Sequence, residues 1–315
     1  MLSTGAFIHA MIPLYIMSII GFTARKIKIL NTHANYVITQ LMLYITMPSL
    51  ILFSLNLTFS LDLLSTFVWL ISMSFFVLTI SILVGKWLRR KSILPQSQKS
   101  VYESLIIFGN QGFIGFAISY IVLGNEGIIY LTFFNICYLI LIWTYGIYIF
   151  TKKQAAIDWR NLCLNPGILS TLLGLLMMFM PFHWPQIVIQ TFEDVGKMTI
   201  PLSMILIGSL LAEISSSDFR QYIKNVYIWT STCFKLLIFP LSLLVFIFLH
   251  VPYPLLVIAT LTAGMPSAPT TTVYAQKFGG DARFASFGVL LTTILCTLTI
   301  PLLYLLIHYL YSYFY

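Results

Sequence analysis

Charge is what this sequence has least of. Its 315 residues include 17 Lys or Arg and 9 Asp or Glu, 8% in all. A soluble domain usually carries about 25%, so a water-soluble enzyme or a soluble nucleic-acid binder is excluded. Cysteine is scarce too. Cys137, Cys163, Cys233 and Cys296 stand far apart, with no C-x-x-C pair and no Cys/His metal spacing. That excludes a disulfide scaffold, and no metal site is predicted. Three of the four lie in apolar runs, where a free thiol behaves as a small hydrophobe. Nothing matches G-x-x-x-x-G-K-[ST], and the connections are too short to hold an ATPase domain. No cofactor is expected.

What is abundant is apolar: AVILMFWYC residues make up 59%, with 25 Phe, 18 Tyr and 6 Trp. The aromatics suit lipid contact and interfacial anchoring. Stretches near the 20 residues needed to cross a bilayer can be marked ten times. They cover roughly 5–23, 35–57, 63–85, 101–123, 127–150, 166–182, 195–212, 224–249, 253–276 and 284–311. The composition therefore describes an all-α, multi-pass integral protein of the plasma (cytoplasmic) membrane, with lipid as its main surroundings.

The net charge of +8 is distributed by topology. Arg25, Lys26 and Lys28 follow span 1, and Lys86, Arg89, Arg90, Lys91 and Lys99 follow span 3. Lys152, Lys153 and Arg160 follow span 5, Arg220 and Lys224 span 7, and Lys277 and Arg283 span 9. Only Lys197 and Lys235 stand elsewhere, at or within spans. By the positive-inside rule the odd-numbered connections are cytoplasmic and both termini lie outside. The first apolar run has its basic residues after it rather than before it, the reverse of a signal peptide, so it reads as a retained span.

Ten spans divide into five and five: 1–150, a cytoplasmic linker 151–165, and 166–315. Five is odd, so two related halves must be inverted with respect to each other. Thr46-Met47-Pro48 in span 2 and Thr199-Ile200-Pro201 in span 7 are matching signatures.

The fourth span of each half is interrupted. Span 4 carries Phe108-Gly109-Asn110-Gln111-Gly112-Phe113-Ile114-Gly115, and span 9 carries Gly264-Met265-Pro266-Ser267-Ala268-Pro269-Thr270. Gly109, Gly115, Gly264 and Pro269 are the helix-break residues; proline removes a backbone donor and clashes with the preceding turn. Irregular backbone at such depth must be buried in protein or line a cavity. Interrupted spans at corresponding places in two halves point to a transporter's substrate site. Two antiparallel half-helices would bring their N-termini together, and these favour an anion. Asn110, Gln111, Gly112, Pro266, Ser267 and Thr270 are accordingly the candidate substrate-binding residues. Close packing of small residues is the plainer explanation of the same glycines and hydroxyls.

Lys235, near the middle of span 8, is a functional candidate by depth alone. It either counters a substrate carboxylate, stands in a coupling cation's place, or snorkels or bonds carbonyls freed by Pro240. Glu103 is either a proton-linked carboxylate or faces cytoplasmic water among Lys91 and Lys99. Glu193, Asp194 and Lys197 are placed at the outer interface before span 7. The five histidines are dispersed, and no metal is assigned to them.

The two broken spans resemble those of the auxin efflux carrier family, which includes plant auxin exporters and bacterial malate permeases. Asn110, Gly112, Phe113 and Gly115 match its span 4 motif N-x-G-F-x-G-x-P, with Ala117 in place of the final proline. Met265-Pro266-Ser267-Ala268, Val273-Tyr274-Ala275, Lys277 and Asp281 resemble its span 9. Leu43-Tyr44 to Pro48, Pro201 through Ala212, and Lys235-Leu236-Leu237 with Pro240 are also similar to family segments. The resemblance implies a crossover fold. Spans 1, 2, 6 and 7 would form a scaffold domain that can pair two copies as a homodimer, and spans 3–5 and 8–10 a moving transport domain.

The expectation is a secondary transporter of small organic anions, malate-like or auxin-like carboxylates, working by alternating access. Its coupling ion, proton or sodium, is left open. The alternative is a sodium-coupled symporter of the bile-acid type, or a protein that transports nothing. A membrane enzyme would need a nucleophile–base pair or clustered acids, and none is visible.

Overall fold

The computed structural model describes residues 4–56, 60–151, 166–178, 180, 184–212 and 220–314. Among them every regular element is helical, as a lipid-embedded backbone requires. In chain order these are α1 (Thr4–Lys26), α2 (Thr32–Ser54), α3 (Leu61–Lys91), α4 (Gln96–Ile107), α5 (Gln111–Thr151), α6 (Pro166–Met178), α7 (Gln186–Leu211), α8 (Val226–Leu249), α9 (Tyr253–Ala263), α10 (Thr270–Phe278) and α11 (Ala282–Phe314). Six of these helices, α2, α3, α5, α7, α8 and α11, are long and apolar enough to cross a membrane. α5 covers 41 residues because Gly124, at φ 60° and ψ −136°, bends it where spans 4 and 5 meet. That backbone conformation is open essentially to glycine alone.

Two prolines shape the helices that matter most. Pro48 and Pro240 would clash with the carbonyls four residues before them, those of Tyr44 and Leu236. Both carbonyls fall inside π-helical turns, Met42–Thr46 and Phe234–Ile238, whose wider winding accommodates the ring.

α7 begins earlier than the sequence suggests. Pro185 caps its start, so Glu193, Asp194 and Lys197 lie inside the helix rather than ahead of it. Glu193 and Lys197 pair one turn apart at 2.6 Å, which offsets their charge.

The chain gathers into two compact units. The first comprises Met1–Val68, Gly112–Ile136 and Trp159–Glu213. Here α1 lies along the Thr199–Leu211 part of α7, and a Cβ on Gly21 or Gly208 would run into backbone of the opposite helix. Small residues allow that approach. Thr199 donates its hydroxyl to Thr46 Oγ1 at 2.8 Å, and Ser209 to Asn35 Oδ1 at 2.7 Å.

The second unit comprises Trp69–Gln111, Cys137–Asp158 and Ile214–Tyr315. Its centre is dry: Ser100 through Gln111 and Leu255 through Ala268 are buried without interruption. At one end Asp281 caps α11 by accepting from the Phe284 N–H, accepts from Gln98 Nε2 at 2.9 Å, and donates its own N–H to Ser97.

Candidate functional site

Within the second unit, the two interruptions meet. α4 ends at Ile107 and α9 at Ala263, and the stretches that follow are extended. They pair antiparallel: the Asn110 N–H donates to the Pro266 carbonyl at 2.6 Å and the Ala268 N–H to the Phe108 carbonyl at 3.0 Å. Gly109 and Ser267 face each other between those bonds, an isolated bridge and the only sheet-like contact among the described residues. In this register opposing Cα atoms come closest.

Neighbouring side chains take up the remaining polar groups. Ser267 receives Thr292 Oγ1 on its N–H at 3.0 Å and gives its hydroxyl to the Leu105 carbonyl at 2.8 Å. Tyr138 donates to the Gly109 carbonyl at 2.6 Å, its ring edge-on to Phe108. Backbone freed by a break must find partners when water is excluded, and these bonds supply several of them.

Lys235, in the π turn of α8, reaches this place from the side. Its residue is 3% exposed, and Nζ stands 3.5 Å from the Ile107 carbonyl. A Cβ on Gly109 would lie 2.8 Å from that nitrogen. The carbonyl it meets is one freed by the break of span 4, not one freed by Pro240. Among the described residues no carboxylate pairs with Lys235.

The sequence-derived candidates therefore divide. Gly109, Asn110, Gln111, Pro266, Ser267 and Lys235 lie in or beside the crossing. Gln111 is buried with Oε1 lacking a partner, and an amide's two ends can exchange by a flip. Gly264 ends α9, with Leu303 Cδ1 2.8 Å from where its Cβ would be. Pro269 and Thr270 open α10, just past the paired stretch. Gly112 and the buried Gly115 belong to the π turn Gln111–Gly115 and to the first unit. There a Cβ on Gly112 would meet Met47 Cε at 3.2 Å.

Glu103 is not in contact with cytoplasmic water, nor with Lys91 or Lys99. It is 1% exposed, and its carboxylate accepts from Arg89 Nη1 at 2.5 Å and from the Tyr145 hydroxyl. Lys86 lies over the Tyr145 ring. Burial of a carboxylate demands such partners, and α3, α4 and α5 supply them. Sequence reasoning missed Arg89, Tyr145, Tyr138 and Thr292 in these roles. Each is an ordinary residue of its helix, and nothing local marks it. Among the described residues no group of three or more His, Cys, Asp or Glu side chains gathers.

The family described as membrane transport protein matches residues 6–161 and 155–304. A protein described as an uncharacterized transporter, from Methanocaldococcus jannaschii, is 22% identical over 304 residues. That match covers 91% of this chain and 94% of the relative.

Proposed function

The chain belongs to the membrane transport protein family that includes the auxin efflux carriers, an integral membrane transporter rather than an enzyme, and we propose that it is a secondary transporter of small organic anions working by alternating access. One observation carries the proposal: a buried lysine with no carboxylate partner among the described residues stands where two interrupted helices cross. A cation left unpaired in a dry interior is costly. An anion arriving at the crossing would relieve that cost, and Asn110, with the Gln111 amide flipped so that its Nε2 takes the place of Oε1, would hydrogen-bond its oxygens. Ser267 would join only by exchanging its bond to Leu105, and Thr270 follows the paired stretch.

The wider architecture in this reading is ten spans in two inverted halves, 1–150 and 166–315, with both termini outside. Two pairings support it. The signature threonines Thr46 and Thr199 hydrogen-bond to each other, as residues beside a pseudo-two-fold axis would. The interrupted stretches of span 4 and span 9 face each other in the same reciprocal way. At 1.5 Å per residue, the 12 residues of α4 and 11 of α9 reach about half-way through a 30 Å hydrocarbon core. Spans 1, 2, 6 and 7 would serve as scaffold and as the contact of a homodimer, the others as the moving part, in the plasma membrane.

The test is uptake of labelled malate, other carboxylates and indole acetate into proteoliposomes, with pH and sodium gradients imposed separately. Saturable carboxylate flux is expected. Flux that follows the sodium gradient would select the bile-acid type of symport instead, and no flux of any organic anion would end the proposal.

A further inference from the structure

We infer that the Lys235 amino group occupies the position of a coupling cation at the crossing, so that the transport cycle needs no bound sodium. This rests on the reading of the crossing as an anion carrier.

A broken helix leaves the carbonyls of its last turn without partners. Those carbonyls, at the negative end of the helix dipole, are where ion-driven transporters built on broken helices hold their cation. In this protein the oxygens around the break can be followed one by one. Leu105 receives the Ser267 hydroxyl, Phe108 the Ala268 N–H, Gly109 the Tyr138 hydroxyl, and Pro266 the Asn110 N–H. Each of these four already has a neutral donor. The Ile107 carbonyl, at the very end of α4, is met instead by Lys235 Nζ.

The amino group is also wedged in place. The point where a Gly109 Cβ would sit lies 2.8 Å from Nζ, 3.0 Å from Cε and 3.4 Å from the Met265 carbonyl oxygen. That oxygen belongs to the second break, so the amine and a carbonyl of span 9 both border the space beside Gly109. The side chain closes it from α8, through a π turn whose extra width Pro240 requires. A tethered cation cannot dissociate, and it takes up the place beside the Ile107 carbonyl, at the end of α4, that an alkali ion would need.

The experiment uses the full-length protein. In proteoliposomes, wild-type carboxylate flux should be the same in sodium chloride and in choline chloride. Lys235→Ala in choline should lose flux about ten- to a hundredfold, what one hydrogen bond to a charged group is worth. Methylammonium or sodium, able to enter the vacated place, should restore part of it. A second readout does not depend on transport: methylammonium chloride should raise the melting temperature of detergent-solubilised Lys235→Ala and leave wild type unmoved, with choline as control. Wild-type flux that collapses in choline overturns the inference. So does flux of Lys235→Ala in choline equal to wild type, or a folded Lys235→Ala indifferent to methylammonium. Should Lys235→Ala fail to fold, the wild-type comparison decides by itself. A melting response in a protein that moves no tested carboxylate would uphold the cation site while counting against the anion reading.

Discussion

Gly109 is the residue at which a single methyl group should do most. An added Cβ comes closest to Lys235 Nζ and Cε, the far end of a flexible side chain, and meets backbone, the Met265 carbonyl, only at an ordinary 3.4 Å. The lysine can therefore swing away, and Gly109→Ala should fold, destabilised by the roughly 1–3 kcal/mol of an overpacked site. Its carboxylate flux should fall at least about tenfold, a barrier change of about 1.4 kcal/mol, because the ammonium no longer meets Ile107. Flux and thermal melting measured on the same preparation separate the two effects. Unchanged flux would detach Lys235 from transport. Glu103 makes the complementary case. Arg89→Ala leaves a buried carboxylate held by Tyr145 alone, and should cost about 3 kcal/mol or more, whereas Glu103→Gln removes the charge with its partner still in place and should cost less. Thermal melts giving the reverse order would show that the carboxylate is not what needs pairing. None of this could be read from sequence. Arg89 is 14 residues from Glu103 on another helix and Tyr145 is 42 away on a third, so no periodicity links them.

The helix breaks, by contrast, were legible, because glycine, proline and amide residues are rare at the centre of apolar spans and each has a known effect on the backbone. What the sequence does not contain is their register. That Gly109 faces Ser267 depends on where α4 and α9 stop, and those ends are set by Thr292, Tyr138 and Leu105, none of which stands out. Ala268→Pro tests the pairing: it removes the N–H that serves the Phe108 carbonyl, leaving a buried acceptor unmet at about 1–3 kcal/mol. Transport should be lost while helical content measured by circular dichroism is kept; normal flux would mean that the bridge is dispensable. The π turns were equally hidden, since proline alone does not tell whether a helix kinks or widens. α7 shows a similar limit. Glu193, Asp194 and Lys197 read as the end of a connection, but an i,i+4 pair allows them to continue the helix. In the first unit Gly208→Leu should force α1 off α7 and lower the melting temperature by several degrees, the few kcal/mol of an overpacked contact. An unchanged melt would show that the two helices do not need that approach.

At the scale of the molecule, the segregation of Lys and Arg makes a prediction that needs no substrate. In a protein freed of its native cysteines, Asn125→Cys, beside the bend at Gly124, should react with a membrane-impermeant maleimide added outside intact cells, and Arg90→Cys only after the membrane is opened. Labelling of Arg90→Cys from outside would invert the topology. The broad class and the apolar spans were plain in composition, since a bilayer constrains every residue that crosses it. The division into two compact units was not, because it cuts through α3 and α5 rather than falling between helices. In the proposed function the paired, interrupted stretches hold an organic anion. The measurement that meets it head-on is a crystallographic or cryo-electron-microscopic map of the protein with a bromine-labelled carboxylate that it transports. The bromoacid should lie in the second unit with its carboxylate within hydrogen-bonding reach of Lys235 Nζ and the Asn110 amide. A label bound elsewhere, or either span running as an unbroken helix through Gly109 or Ser267, would contradict it.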